Sequence, residues 1–191
     1  MKRILLIAAM AVMSVAATAQ NFKWAYVDFN ELMMLMPEMD SARATMEENQ
    51  KTNEEILMAM YEEYQTKAQQ YQQKAESWTP AIRESKEKEI MEIQSRLEQT
   101  QQSLQQELQQ LQQNLQAPIY EKAQKTVNDL AKAKGIAIVF EKANLLYFDP
   151  AQGTDLTPEA RVALNIPEGR TLETLQAEMQ AKAQAAQARM Q

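Results

Sequence analysis

Most enzymatic chemistry needs a base or nucleophile that works near neutral pH, and this 191-residue chain has neither histidine nor cysteine. Those absences remove thiol nucleophiles, imidazole bases, Ser-His-Asp triads and the usual zinc sites together. Carboxylates, Lys, Ser, Thr and Tyr remain, and no pair of them is poised by spacing for acid–base work. Glu47-Glu48, Glu54-Glu55 and Glu62-Glu63 recur at a near-heptad interval, which describes a solvated helix face better than an ion site. The sequence therefore predicts no catalytic residue, no metal site and no cofactor. What it offers instead is adaptable apolar contact. Met46, Met58, Met60, Tyr61, Tyr64, Tyr71 and Trp78 combine flexible, polarizable thioethers with aromatic rings that tolerate water on one edge.

Those residues lie in a glycine-free run from Pro37 to Lys134, interrupted only by Pro80 and Pro118. Leu97, Leu104, Leu108, Leu111 and Leu115 follow heptad steps, with Gln101 at the missing seam position. Leu57, Met60, Tyr64, Ala68, Tyr71, Ala75 and Trp78 run ahead of them, also spaced by threes and fours. Between the two limbs, Ser77-Trp78-Thr79-Pro80 breaks the pattern, and Thr79 can cap a helix that opens at Pro80. The reading is an antiparallel helical hairpin over residues 37–118, each limb roughly 60 Å long at about 1.5 Å per residue. Leu57, Tyr64 and Tyr71 fit its seam better than an external surface. Tyr61, one position off the stripe, and Trp78, at the tip, fit external contact equally well. Asn49 and Asn53 occupy seam positions, so a continuous dry seam is not expected there.

The flanks read as a small β-rich body over residues 20–36 and 119–169. Strands are expected at 24–29, at 136–140 after Gly135 ends the long helix, and at 145–148. Thr157-Pro158-Glu159 is expected to cap a short helix running to Leu164. Three strands hardly cover both faces of a sheet or hide its edges, so association of copies is expected. Tyr26, Val27, Phe29, Ile136, Ile138, Phe140, Leu146 and Phe148 are the candidate contact residues. Residues 170–191 form an Ala- and Gln-rich tail, expected as a loosely attached or frayed helix with Leu172, Leu175 and Met179 on one face. The fold class is α+β.

Residues 1–19 have the parts of a signal peptide: Lys2-Arg3, an apolar stretch from Ile4 to Ala17, and a small-x-small site at Ala17-Thr18-Ala19. The apolar stretch is shorter than the roughly 20 residues that span a bilayer, so cleavage is expected and stable membrane insertion is not. Loss of Lys2 and Arg3 leaves 18 basic against 26 acidic residues, a net charge of −8. Residues 38–118 contain 15 acidic and 8 basic side chains, which disfavours nucleic acid as a partner.

Lys23-Trp24-Ala25-Tyr26-Val27-Asp28 followed by Pro37 resembles the opening of the Skp (OmpH-like) family of periplasmic chaperones. Ala117-Pro118-Ile119-Tyr120, Ala133 through Phe140, Leu145-Leu146-Tyr147 and Asp155-Leu156-Thr157-Pro158-Glu159 are similar to its closing blocks. The resemblance covers about Lys23 to Asn165. It implies a homotrimer with one shared β-barrel body, whose helical arms enclose unfolded outer-membrane proteins in the periplasm without ATP. Members of the family are often basic, whereas this hairpin is acidic, and the tail inherits no role. A scaffolding coiled coil of the cell envelope is the alternative, and a carboxylate-based hydrolase is a poor third. On this reading the exported protein begins at Gln20. N-terminal sequencing of protein purified from the cell envelope should find that residue, and a mature pool retaining Met1 would refute cleavage.

Overall fold

The computed structural model describes residues 22–189. The expected signal peptide lies outside the described residues. In chain order the elements are β1 (Trp24–Val27), α1 (Phe29–Leu35), α2 (Pro37–Lys74), α3 (Pro80–Lys134), β2 (Ile138–Glu141), β3 (Thr154–Asp155), α4 (Thr157–Ala163) and α5 (Leu172–Arg189). The structure is thus α+β, mostly helical with long helices and one small sheet. By contact, it divides into residues 40–118 and a second unit made of the chain up to 39 and from 119 onward.

In the second unit the sheet order is β2-β1-β3, and both pairings are parallel. Trp24 stands opposite Ile138 and Tyr26 opposite both Phe140 and Asp155. Ala25, Tyr26 and Val27 are all buried, as a central strand with both faces covered requires. Around them lie Leu32, Leu35 and Met36 of α1 and its end, Leu156, Ala160 and Leu164 around α4, and Ile166. The root of α3 adds Ile119, Ala123, Val127 and Ala131, a stripe at steps of four that lies on one helix face. At its far end Gly135 takes a φ of 64°, the left-handed conformation that glycine adopts without a Cβ clash.

Polar groups fix the joints between these elements. Asp28 caps α1, its Oδ1 accepting from Glu31 N at 2.9 Å, while Asp28 N donates to Thr157 Oγ1 at 2.9 Å. Thr157 is the first residue of α4 and not its cap: Leu156 occupies the cap position and makes no side-chain bond. The Thr157 hydroxyl is instead engaged by Asp28, which ties α4 to the end of β1. Arg161 pairs with Glu31 and donates to the carbonyls of Pro167 and Arg170, clamping the chain that leads into α5.

Three expectations change. The first strand ends at Val27, because Asp28 turns the chain into α1, which begins at Phe29. Residues 136 and 137 precede β2. Leu145–Phe148 is not a strand. It lies in the loop before β3, with Leu146 and Tyr147 exposed, and Phe148 packs on Tyr26 at 4.5 Å and Trp24 at 6.2 Å between ring centroids. The third strand is Thr154–Asp155 instead, recruited beside Ala25 and Tyr26. The tail is also better anchored than its composition suggests. Its Leu175 is buried and α5 contacts α1, although Leu172 and Met179 face solvent.

Gly153 approaches Trp24 so closely that an added Cβ would lie 2.6 Å from the indole ring. Gly153→Ala should therefore destabilise the fold by about 1–3 kcal/mol, the usual cost of overpacking. Urea unfolding followed by Trp24 fluorescence, with Trp78 replaced by Phe, measures this. An unchanged midpoint would mean that the ring moves aside freely.

Candidate functional site

The unit of residues 40–118 is built from α2 and α3, which run antiparallel. Cross-helix bonds establish the pairing: Glu63 with Arg96 at 2.7 Å, Lys67 with Glu89, and Tyr71 with Glu87. The partner number falls as the first rises. At the turn, Ala75–Ser77 tightens into a 3-10 segment, Thr79 Oγ1 accepts from Ile82 N at 3.4 Å, and Arg83 Nε donates to the carbonyl of Ala75 at 3.2 Å. Trp78 packs edge-on against Tyr71 at 5.9 Å and is half-buried. The tip tryptophan thus has a partner in its own hairpin.

Side chains of the predicted contact set fall into two groups. Met46, Met60, Tyr64, Tyr71 and Trp78 are half-buried, whereas Met58 and Tyr61 are 64% and 53% exposed. Tyr61 stacks on Tyr64 at 6.4 Å. Around them the seam is incomplete. Ile93 is buried, but Asn49 and Asn53 stand half-buried and hydrogen-bond each other at 3.1 Å. Thr100 is half-buried and Gln101 exposed, a shift of one residue from the heptad position. A buried glutamine amide would need several hydrogen-bond partners, so the smaller threonine turns inward.

The gap opens as two grooves that share Tyr61, Leu97 and Gln101. One, of about 470 Å³, is completed by Glu54, Leu57 and Met58. The other, of about 320 Å³, adds Tyr64, Gln94 and Glu98. A third groove of about 380 Å³ lies nearer the tip, between Ala68, Tyr71, Gln72, Glu87, Ile90 and Met91. Met91, 61% exposed, and Ile82 and Ile56 are apolar surface residues that the sequence reading passed over. Met91 could have been found, since it lies beside Ile90 and off the Ile90–Ile93–Leu97 stripe, as Tyr61 lies off its own.

The candidate association residues lie in the other unit. Tyr26 and Val27 are buried within the chain, and Phe29 meets Tyr120 at 5.3 Å. Ile136 precedes β2 and is half-buried, as is Phe148. Ile138 and Phe140 on β2 and Leu146 in the following loop are exposed. Among the described residues there is no cluster suited to a metal ion and no helix long and apolar enough to cross a membrane.

A family model described as outer membrane protein (OmpH-like) matches residues 23–164. This chain belongs to the OmpH-like family. The match spans both limbs of the hairpin and the sheet, and stops before α5. No curated protein matches the sequence. Among solved structures, an OmpH-like protein from Caulobacter crescentus CB15, described as an outer membrane chaperone, superposes with a TM-score of 0.64. It is 11% identical, and the alignment covers 76% of this OmpH-like chain and 85% of the other. At that identity the likeness is one of fold.

Charge organises the outer half of the hairpin. Glu89 accepts from Lys67 and Lys86, and these bonds, Lys67's first, pull its carboxyl down from 4.5 to about 2. A folded-state value below the unfolded one stabilises above the unfolded pKa and is lost as pH falls through the folded one. The contribution of Glu89 should be complete above about pH 4.5 and vanish by about pH 2. Glu89→Gln should therefore lower the urea midpoint slightly at pH 7, the pair being solvent-screened, and the difference from wild type should shrink toward zero in acid. A constant difference across that range would exclude the ionic contribution.

Proposed function

We propose that this chain is an ATP-independent holdase of the periplasm, holding unfolded outer-membrane proteins against its helical hairpins and preventing their aggregation. The observation that carries the proposal is the apolar surface of the hairpin. Met58, Tyr61 and Met91 stand exposed beside open grooves on helices whose backbone bonding is complete without a partner. Soluble proteins rarely leave such residues clustered without a binding role. Methionine and tyrosine suit partners of varied sequence, since both accommodate many shapes at low entropic cost. The fold likeness to a protein described as an outer membrane chaperone supports the same reading. The missing histidine and cysteine leave little from which to build an enzyme.

The same proposal includes a homotrimer assembled through the sheet. β2 is an edge strand whose Ile138 and Phe140 face solvent, and the loop after it exposes Leu146 and Tyr147. An apolar edge of this kind invites another strand. Residues 145–148, rich in β-formers and with no partner strand among the described residues, are a natural addition to a neighbouring copy.

One protein tests both parts. Deletion of Gln65–Ala75 together with Pro80–Ile90 shortens the two limbs equally and removes the groove between Tyr71 and Met91. Light scattering should still give three times the mature mass, while suppression of aggregation of an unfolded outer-membrane barrel should weaken. Undiminished protection by the short-armed protein, retained when Met58→Ser and Tyr61→Ser are added to remove the apolar side chains that the deletion leaves in place, would place the site elsewhere. A stable monomer at micromolar concentration would defeat the trimer.

A further inference from the structure

We infer that the seam gap at Gln101 is a side-chain socket that selects apolar residues flanked by lysine or arginine in the bound polypeptide. The inference rests on the holdase reading and adds a preference to it. The two grooves at this level share the walls Tyr61, Leu97 and Gln101, so they adjoin one another. The larger, at about 470 Å³, is lined mainly by apolar surface and exceeds the space of one aromatic side chain, whereas the smaller is of mixed character.

The occupant follows from the rim. Glu54 stands at one opening and Glu98 at the other. Glu54 accepts a neutral bond from Gln50 at 3.0 Å, and among the described residues neither it nor Glu98 has an ion-pair partner. The neighbouring cations are already engaged, Lys51 with Glu55 at 3.9 Å and Arg96 with Glu63 at 2.7 Å. Residues 47–63 and 94–107 together carry eight carboxylates against those two cations. An apolar socket in such a field favours a segment that brings its own positive charge.

Two short fluorescein-labelled peptides with the same Leu-Tyr-Leu core, one flanked by lysines and one by glutamates, test this by anisotropy with the full-length mature protein. The lysine-flanked peptide should bind about threefold to tenfold more tightly at low salt, and the advantage should shrink at physiological ionic strength. Glu54→Gln with Glu98→Gln should abolish the difference without weakening the glutamate-flanked peptide. Gln101→Phe, which fills the gap with an apolar ring, should weaken both peptides while raising the thermal midpoint. Tyr61→Ser, which removes the shared wall, should weaken both without raising it. Equal affinity for the two peptides would overturn the inference, as would full binding by a folded Gln101→Phe protein. A smaller oligomer for Gln101→Phe by light scattering would also overturn it, since a second copy would then be the occupant. If the wild type shows no peptide preference yet still suppresses aggregation, only the socket fails. If it does neither, the holdase reading fails with it.

Discussion

The sheet depends on one topological constraint: both partners of β1 come from the far side of the hairpin. Trp24 pairs with Ile138 and Ala25 with Thr154, so every ladder bond to β1 closes a loop of more than a hundred residues. Parallel strands always need a crossover, and here the crossover contains the whole of α2 and α3. The entropy of closing so long a loop would be heavy for a floppy chain. Two stiff helices folded back on each other reduce it, because Glu38 and Lys122, which form an ion pair, are brought together by the geometry of the limbs. The hairpin is thus a condition for the sheet as well as a surface in its own right.

Once the ladder has formed, its thinness explains the density of polar fastening around it. β3 contributes only two residues, too few to hold α4 by strand pairing alone. The Asp28–Thr157 bond, the Asp155 carboxylate accepting from Thr157 N at 2.8 Å, and the Arg161 clamp on Glu31 and the 167–170 carbonyls supply the rest. The bonds of the Asp155 carboxylate and the Arg161 guanidinium are charge-assisted, and such bonds are shorter and stronger than neutral ones. The clamp also explains why Leu175 is buried although α5 falls beyond the family match: Arg161 directs the chain onto α1 before the tail begins.

The hairpin was legible in the sequence because its signals reinforce one another. Heptad leucines, the lack of glycine and the Thr79-Pro80 start all point to the same element, and the structure agrees from Pro37 to Lys134. The sheet was legible only where the signal is local. Trp24–Val27 and Ile138–Phe140 are strand-like by composition and are strands. Leu145–Phe148 is equally strand-like, but composition does not say whether a partner lies within reach. Thr154–Asp155 has no strand signature at all and is extended only because Ala25 and Tyr26 pass beside it. Thr157 looked like a cap because its hydroxyl can serve as one, and only tertiary structure shows that hydroxyl engaged by Asp28. In the candidate site, Tyr61 lies off the stripe and is exposed, and Met58 is exposed as well. Thr100 replaced Gln101 at the seam through a choice between neighbours that periodicity alone does not make.

The polar seam residues of the hairpin have a consequence for its motion. Asn49, Asn53 and Thr100 give the paired helices little apolar contact where they occur, whereas each helix keeps its own backbone bonds whether or not the other is near. Separation of the limbs at that level costs few side-chain contacts and no helical hydrogen bond. Local opening free energies follow such contact density. The two helices should accordingly bow apart there far more often than they fray, and amide exchange would register little of it. A motion of that kind changes the width of the gap without melting its walls.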